Sequence, residues 1–284
     1  MEADMERPSN PDVAAVPLPP AGTRRPDAWR RALAALRSAA AYLGIALYTL
    51  VAAPPGLLLA IAFKWKGLLY ELGHGGAWLG LKLAGIRYEV HGRERVPRDG
   101  AVVYCANHQS NVDPPILFRA LHRRLHVLYK AELSRLPLLG RAFVVGGFIP
   151  VERANRERAM ASIARGTASL AAGNSFLIFP EGTRSRTREL LPFKKGGFIM
   201  AIEAGAPIVP VAIDGGRAAM RKGSRLVWPA HVVIRLGEPI DTRGLSIADR
   251  DAVIAETRAR IERLLAENLI PARGAPVGKL AGPA

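Results

Sequence analysis

The 284-residue chain has only one cysteine, Cys105, and few aromatic residues. A single cysteine excludes an internal disulfide and any metal site built from cysteines alone. The cysteine content therefore does not tie the protein to an oxidising compartment. Cys105 lies in a short apolar run, and there we expect an inert buried thiol rather than a nucleophile.

Acidic residues are scarce relative to basic ones, with 24 Asp and Glu against 40 Lys and Arg, which gives a formal charge of +16. This excess implies an anionic partner, such as nucleic acid, an acidic membrane surface, or a phosphorylated or CoA-type substrate. Aromatic residues make up only 6% of the chain, and helix-turn-helix, RNP and zinc-finger patterns are missing. We therefore expect no nucleic-acid partner. The alternative function, from a different class, is that of a membrane-tethered basic protein that binds nucleic acid.

Several catalytic motifs are also missing from the sequence. It has no Gly-x-Ser-x-Gly elbow, no Walker phosphate loop, no Rossmann glycine fingerprint and no His-Glu-x-x-His zinc motif. These absences argue against the hydrolases, nucleotide-binding proteins and zinc proteases that carry such motifs. We expect neither a metal nor a cofactor.

Charged residues are absent from residues 38–63. A run of this length favours membrane lipid as the anionic partner. Pro54-Pro55-Gly56 interrupts it and leaves residues 38–53 as a helical piece of about 24 Å, short of the ~30 Å hydrocarbon core of a bilayer. A second apolar piece follows at about 57–85. Together the pieces predict a membrane-embedded helical hairpin that reverses at the prolines; one kinked transmembrane span is the alternative.

The pattern changes at residue 87, where short apolar runs rich in β-branched residues begin to alternate with helical stretches. Seven strands are predicted, at 87–91, 101–105, 126–129, 148–151, 176–179, 208–213 and 232–236. A helix is predicted at 247–267, with Ser246 as its cap and Asp249 at the capping-box position. This alternation predicts an α/β fold with a mixed, largely parallel sheet covered by helices, and ligands bound beyond the carboxyl ends of strands.

The predicted organisation has four parts. Residues 1–28 are rich in Pro, Ala and short polar residues and are expected to form a disordered tail. Residues 29–86 form the N-terminal membrane-anchoring helices, residues 87–270 form the α/β domain, and residues 271–284 form a flexible C-terminal tail.

The most informative segment is 107–113, Asn-His-Gln-Ser-Asn-Val-Asp, directly after the second predicted strand. A histidine that deprotonates an alcohol works best when a carboxylate accepts its other ring N–H. His108 and Asp113 can form that pair. Asp113 also precedes Pro114-Pro115, which suits the N-cap of a helix, and the two roles are compatible.

A second segment, 179–185, reads Phe-Pro-Glu-Gly-Thr-Arg-Ser and also follows a predicted strand. The flexible Gly182, the Thr183 hydroxyl and the Arg184 guanidinium suit a phosphate group. Taken alone, the segment could equally be an exposed turn with a solvated arginine. Two further blocks, Gly-Gly-Phe-Ile-Pro-Val-Glu-Arg at 146–153 and Ile-Val-Pro-Val at 208–211, are predicted strands, the first of which ends on a basic residue. The loops should bring one base and at least two cations to one edge of the sheet.

In this order the four segments resemble the four motifs of the glycerolipid acyltransferases, specifically the bacterial 1-acylglycerol-3-phosphate acyltransferases. The resemblance covers about residues 87–240. Pro-Val-Glu-Arg at 150–153 departs slightly from the family, which often has Phe-Ile-Asp-Arg or similar there, and this departure bears on substrate preference. The resemblance implies the glycerolipid acyltransferase fold, with 87–270 as the acyltransferase domain and the N-terminal apolar segment as its anchor at the bilayer surface.

The resemblance also implies residue roles. His108 would be the general base and Asp113 its orienting partner. The acceptor phosphate would be held by Arg184, Arg153 and Lys130, in a site shaped by Glu181, Gly182 and Thr183.

The implied reaction moves a fatty acyl group from acyl-CoA or acyl-acyl-carrier protein to the sn-2 hydroxyl of 1-acylglycerol 3-phosphate, giving phosphatidate without a covalent acyl-enzyme. Glycerol 3-phosphate and lyso-ornithine lipid are alternative acceptors. The partners would be the thioester donor, the lysophospholipid acceptor and the lipid bilayer. Shortly before the apolar run stand Arg24, Arg25, Arg30, Arg31 and Arg37, so the positive-inside rule places the N-terminus in the cytoplasm. Acyl thioesters are cytosolic, which predicts the inner (cytoplasmic) membrane with the active site facing the cytoplasm.

Overall fold

The computed structural model describes residues 28–122, 124–152 and 156–267. The predicted tails at 1–28 and 271–284 lie outside these residues, except that Ala28 is the first residue of a helix.

Eight helices and seven strands make up the described part of the chain. The helices are α1 Ala28–Ala62, α2 Lys66–Ala84, α3 Asp113–Ala120, α4 Leu139–Val145, α5 Arg156–Ala171, α6 Gly196–Glu203, α7 Gly216–Ala219 and α8 Arg250–Glu267. The strands are β1 Ile86–His91, β2 Val103–Ala106, β3 His126–Lys130, β4 Ile149–Val151, β5 Phe176–Ile178, β6 Ile208–Asp214 and β7 Ala230–Leu236. Short 3₁₀ turns are formed by Arg93–Arg95, Ala131–Arg135 and Ile247–Asp249.

The strands form one sheet in the order β1-β7-β6-β2-β5-β3-β4. Strands β6, β2, β5, β3 and β4 run parallel, β7 is antiparallel to β6, and β1 is parallel to β7. The predicted mixed, largely parallel sheet is confirmed, and each predicted strand is present within two or three residues of its expected bounds. The five parallel strands end at one side of the sheet, which we term the carboxyl edge.

Hydrophobic layers cover both faces of the sheet. On one face, buried residues of α2 and α3, including Leu81 and Ile116, pack against alternate residues of the central strands. On the other face, Phe198 and Ile261 of α6 and α8 fill the space. Cys105 points into this second layer and is fully buried, and burial raises the pKa of its thiol. The expectation of an inert buried thiol agrees with this position.

The N-terminal helices form an antiparallel hairpin, but its reversal is not where the sequence placed it. Helix α1 runs unbroken for 35 residues through Pro54 and Pro55, and the chain reverses at residues 63–65, where Lys64 has a positive φ of 57°. The prediction of a break at Pro54-Pro55-Gly56 was therefore wrong. Contacts with α2 on both sides of the prolines hold the helix together, since a Cβ on Gly44 would meet Leu83 and one on Gly56 would meet Leu72. Tertiary packing here outweighs the hydrogen bonds that proline removes.

The hairpin carries an extensive apolar surface. Helix α1 has the length and composition of a membrane-crossing helix, and only 17% of its most apolar stretch is buried. Its exposed large side chains include Leu43, Leu47, Leu50, Val51 and Leu58. An apolar surface of this extent is typical of contact with lipid or with another protein.

Candidate active site

Two loops meet at the carboxyl edge, one after β2 and one after the neighbouring strand β5. The first loop carries His108, whose Nδ1 lies 3.0 Å from Oδ2 of Asp113. The His108 side chain is 15% exposed and that of Asp113 is fully buried. Since the carboxylate occupies Nδ1, it fixes the ring orientation and leaves Nε2 to accept a proton. The spacing of five residues thus gives the pair that the sequence predicted.

The Asp113 carboxylate is held by backbone groups of its own loop. Its Oδ2 accepts the N–H groups of Gln109 and Ser110, both at 2.7 Å, in addition to the His108 ring. The N-cap of α3 is Val112, which has no side-chain cap bond, and Asp113 is the first residue of the helix. The expectation that Asp113 also caps the helix was wrong, because its carboxylate turns back over the loop. Its second oxygen, Oδ1, is buried without a hydrogen-bond partner and faces Gly216, where a Cβ would collide with it.

Glu181 joins the two loops. It is 3% exposed, and its carboxylate accepts the His108 N–H at 2.7 Å and the Leu191 N–H at 2.9 Å. The Ser185 N–H in turn donates to the His108 carbonyl at 2.8 Å. Burial raises the pKa of Glu181, partly offset by these amide donors. The resemblance implied that Glu181 shapes the loop, and its carboxylate does link the second loop to the backbone of His108.

Two further side chains attach the His108 loop to the rest of the domain. Asn107 is fully buried and exchanges two hydrogen bonds with the backbone of Ile213 on β6, at 2.7 and 2.9 Å. Ser110 donates to the Met220 carbonyl at 2.8 Å. These bonds satisfy buried polar groups and restrict where the His108 backbone can lie.

Cations surround the second loop. Arg184 is half-buried, and Lys222 donates through Nζ to the Thr183 hydroxyl at 3.1 Å and to the Arg184 carbonyl at 2.8 Å. Lys194 lies against Gly182, whose φ is +68°. These groups form a positively charged loop at the end of β5, and the neighbouring strand β3 carries a further candidate cation, Lys130, at its own end.

The remaining predicted phosphate ligands are placed differently. Lys130 ends β3 at the same carboxyl edge, where its exposed ammonium pairs with Glu132 at 3.0 Å. Arg153 lies outside the described residues. No group of three or more potential metal ligands occurs within residues 28–122, 124–152 and 156–267.

Sequence reasoning missed three contributors to the site. Phe179 stacks on the His108 ring with centroids 4.2 Å apart, Gly216 packs against Asp113, and Lys222 contacts the second loop. Phe179 stands at the start of a segment already recognised, so its position was a usable signal. Gly216 and Lys222 lie in an unremarkable stretch, and only the folded sheet brings them to the edge.

A histidine–carboxylate pair beside a cationic loop, at the carboxyl edge of an α/β sheet, suits a group transfer to an anionic substrate. A family model described as Acyltransferase matches residues 87–214, which include both loops; the protein is an acyltransferase.

Curated relatives specify the family further. The chain is 30% identical over 240 residues to a 1-acyl-sn-glycerol-3-phosphate acyltransferase of Limnanthes alba, covering 82% of each chain. It is 30% identical over 213 residues to an enzyme of the same name from Haemophilus influenzae, covering 73% of this chain and 81% of the relative. The chain therefore belongs to the 1-acyl-sn-glycerol-3-phosphate acyltransferase family.

The fold has a counterpart among solved structures. The crystal structure of the 1-acyl-sn-glycerophosphate (LPA) acyltransferase from Thermotoga maritima superimposes with a TM-score of 0.74, covering 87% of this chain and all of that one. At 24% identity the likeness shows a shared fold.

Proposed function

We propose that the protein transfers a fatty acyl group from an acyl thioester, acyl-CoA or acyl-acyl-carrier protein, to the sn-2 hydroxyl of 1-acylglycerol 3-phosphate, giving phosphatidate. The observation that carries the proposal is the His108–Asp113 pair at 3.0 Å, placed one loop away from a cluster of cations suited to a phosphate. The names of the curated relatives support the choice of acceptor.

In the proposed reaction His108 Nε2 removes the proton from the acceptor hydroxyl as its oxygen attacks the thioester carbonyl. The tetrahedral intermediate collapses with cleavage of the carbon–sulfur bond, and the departing thiolate takes the proton from the imidazolium. Asp113 stabilises that imidazolium and keeps the ring oriented. Cys105 takes no part, since its thiol is fully buried.

The acceptor phosphate is assigned to the second loop. Arg184 offers two parallel N–H donors, and Lys222 adds a point charge beside it. Gly182 and Thr183 let the backbone approach the phosphate oxygens. Lys130, the last residue of β3, and Arg153, which follows β4 in the sequence, complete the proposed set.

The site is proposed to face the cytoplasm from the inner membrane, with the hairpin embedded in one leaflet. Ser38 of α1 accepts the Val227 N–H at 2.8 Å, while Leu57 packs in a cluster with Leu138 of the domain. These two positions are about 29 Å apart along the helix axis, nearly the thickness of the hydrocarbon core. Because the domain contacts α1 at both, a transmembrane α1 would draw the domain into the bilayer. The hairpin therefore lies beside the domain in the proposed arrangement.

The reaction is tested by thiol release from acyl-CoA and acyl-acyl-carrier protein, using detergent-purified protein and each acceptor in turn. We expect release with 1-acylglycerol 3-phosphate well above that with glycerol 3-phosphate or lyso-ornithine lipid. A preference for either of the others would reassign the acceptor while leaving the reaction class in place. Tight duplex DNA binding with a steep salt dependence and no thiol release would favour the nucleic-acid alternative.

The topology is tested by labelling single cysteines near residues 20 and 275 in a Cys105→Ala background. Neither should react with an impermeant reagent added outside intact cells. Labelling near 275 alone would show that the chain crosses the membrane once.

A further inference from the structure

A second apolar surface lies outside the hairpin, on the segment between β3 and β4. We term it the 133–144 surface. Its four large apolar side chains are substantially exposed, namely Leu133 at 40%, Leu136 at 43%, Leu139 at 36% and Val144 at 58%. They stand within twelve residues of one another, which distinguishes them from the scattered exposed leucines of an ordinary surface.

The backbone of this segment is folded to keep those side chains outside. Leu138 has φ +58° and ψ −55°, a γ-turn conformation that a branched residue adopts only under constraint. Gly140 packs against the Ser134 backbone so closely that a Cβ there would collide with it. The turn directs Leu138 inward while its neighbours Leu136 and Leu139 stay exposed. A strained turn that maintains exposed leucines points to a partner for them.

The 133–144 surface is continuous with the hairpin. Leu138, Ala142 and Val145 pack against a cluster that contains Leu57 of α1 and Leu69 of α2. Helix α4 therefore rests on the part of the hairpin where α1 approaches its end. Both elements present exposed apolar side chains next to this shared contact.

Charge indicates which partner the surface fits. The segment 130–145 has three exposed cations, Lys130, Arg135 and Arg141, and a single carboxylate, Glu132, which pairs with Lys130. Apolar side chains bordered by exposed cations are typical of protein surfaces that enter the headgroup region of an anionic bilayer. The net charge of +16 favours the same partner.

We propose that the 133–144 surface is a second lipid-contacting element, which inserts Leu133, Leu136 and Val144 into the cytoplasmic leaflet beside the hairpin. The inference rests on the proposed function, in which the hairpin is membrane-embedded. The segment begins at the carboxyl end of β3, so its insertion brings the carboxyl edge to the bilayer. A lysophospholipid can then offer its headgroup to the site while its acyl chain stays in lipid.

Depth-dependent fluorescence quenching tests the proposal. Full-length Cys105→Ala protein would carry one cysteine at Leu136, Leu47 or Ile247, labelled with an environment-sensitive dye and reconstituted with phosphatidylcholine–phosphatidylglycerol vesicles. Leu47 lies on the exposed face of α1 and reports on the hairpin. Ile247 is 44% exposed, nearly the same fraction as Leu136. It lies on the side of the sheet where the parallel strands begin, opposite the carboxyl edge, so it is the matched solvent control.

We expect spin-labelled lipid to quench the dye at 136 by roughly half, as for side chains buried about 5–10 Å into the interface, and to leave the dye at 247 unchanged. Quenching at 47 with none at 136 would overturn the second contact and leave the hairpin in place. No quenching at 47 would overturn the membrane arrangement itself. A blue shift at 136 that grows with protein concentration without lipid would assign the surface to a second copy of the chain, and would also overturn the proposal.

A kinetic measurement gives an independent readout. The double variant Leu133→Glu/Leu136→Glu should raise the KM for vesicle-borne acceptor about tenfold, since two apolar side chains lose their burial in lipid. Turnover of a short-chain, water-soluble acceptor should stay unchanged, as should both parameters for the control Ile247→Glu. Equal KM values for the double variant and the parent on vesicles would contradict the proposal, provided that their thermal unfolding temperatures agree.

Discussion

The hairpin and the two loops at the carboxyl edge are stabilised in opposite ways. In the hairpin, glycines of one helix receive apolar side chains of the other, as when Gly80 faces Ile45. In the loops, buried polar groups bond to backbone atoms, as when Glu181 accepts amides from both loops. Apolar packing tolerates small rearrangements, whereas a buried polar group that loses its partner costs about 1–3 kcal/mol. The contrast indicates that the hairpin positions the domain approximately and the loops position the reacting groups closely.

The largest effects should come from the pair itself. We expect His108→Ala to lower kcat by about 10²–10⁴-fold, because general-base catalysis contributes that much. Unfolding should change little, since the side chain is partly exposed. Asp113→Asn should also be severely impaired, whereas a residue that only capped α3 would leave activity nearly intact. Thiol-release kinetics and thermal unfolding measure both, and wild-type turnover by His108→Ala would end its assignment as the base.

A substitution at Gly216, which packs against Asp113, tests how closely the His108 loop is packed. Gly216→Ala places a methyl group against Asp113 Oδ1, so the carboxylate must move. A displacement of about 1 Å can cost on the order of 10²-fold in rate, and we expect a loss in kcat of that order with a smaller change in KM. Ala218→Ser, at an exposed position of the same short helix, is the matched control. Wild-type kcat in Gly216→Ala would show that the loop is more adaptable than its bonding indicates.

A third prediction separates the two substrates at the second loop. Arg184→Ala should raise the KM for the phosphorylated acceptor by about tenfold or more, since it removes a charge-assisted contact made by the acceptor phosphate. The KM for the acyl donor should change far less. Initial rates with each substrate varied in turn give both values, and an equal rise in the two would place Arg184 elsewhere in the site.

The polar contact between the loops should also be visible in the pH dependence of stability. Because burial raises the pKa of Glu181 above its ordinary value of 4.5, the folded protein binds this proton more tightly than the unfolded chain does. The resulting stabilisation is fully present below pH 4.5 and is lost as the pH rises through the folded-state pKa. Glu181→Gln does not titrate there. The Tm of the wild type relative to this variant should therefore fall as the pH rises. A rise in this relative Tm would show that the pKa of Glu181 is lowered on folding and not raised.

The smallest effect is expected in the hairpin. Gly44→Ala meets only the flexible end of Leu83, and alanine favours helix by up to about 1 kcal/mol. The two terms nearly cancel, so the unfolding free energy should change by less than about 1 kcal/mol. Gly215→Ala is the contrasting variant, because its Cβ would meet the His231 carbonyl at a φ of +93° and should destabilise by more than that. Gly215 follows β6 at the carboxyl edge, so similar losses for both would show that packing in the hairpin is as restrictive as packing at that edge.

Local patterns predicted the parts of this structure that depend on local forces. The strands followed from short apolar runs, and the capping box of Ser246 with Asp249 formed as its spacing required. The His108–Asp113 pair was accessible for the same reason, since both residues lie in one loop. Residue types that suit a phosphate likewise indicated the loop around Arg184.

Long-range packing accounts for what the sequence could not predict. The continuity of α1 through Pro54 depends on α2, and the orientation of the Asp113 carboxylate depends on amides of its own loop that compete with the helix end. Lys222 reaches the Arg184 loop only because β5 and β6 flank β2 in the sheet. A single sequence gives no measure of such competition between local preference and tertiary contact.

The buried contact between Ser38 and the backbone of Val227 also limits how the enzyme can be divided. Ala41, Leu81 and Ala84 belong to the same apolar layer as the central strands, so the helices proposed to contact lipid also form part of the domain's interior. A fragment without residues 28–85 would expose that layer to water and leave Val227 without its acceptor. An unrelated transmembrane helix in place of the hairpin would leave this layer uncovered, so the proposed anchor is also a structural part of the catalytic domain.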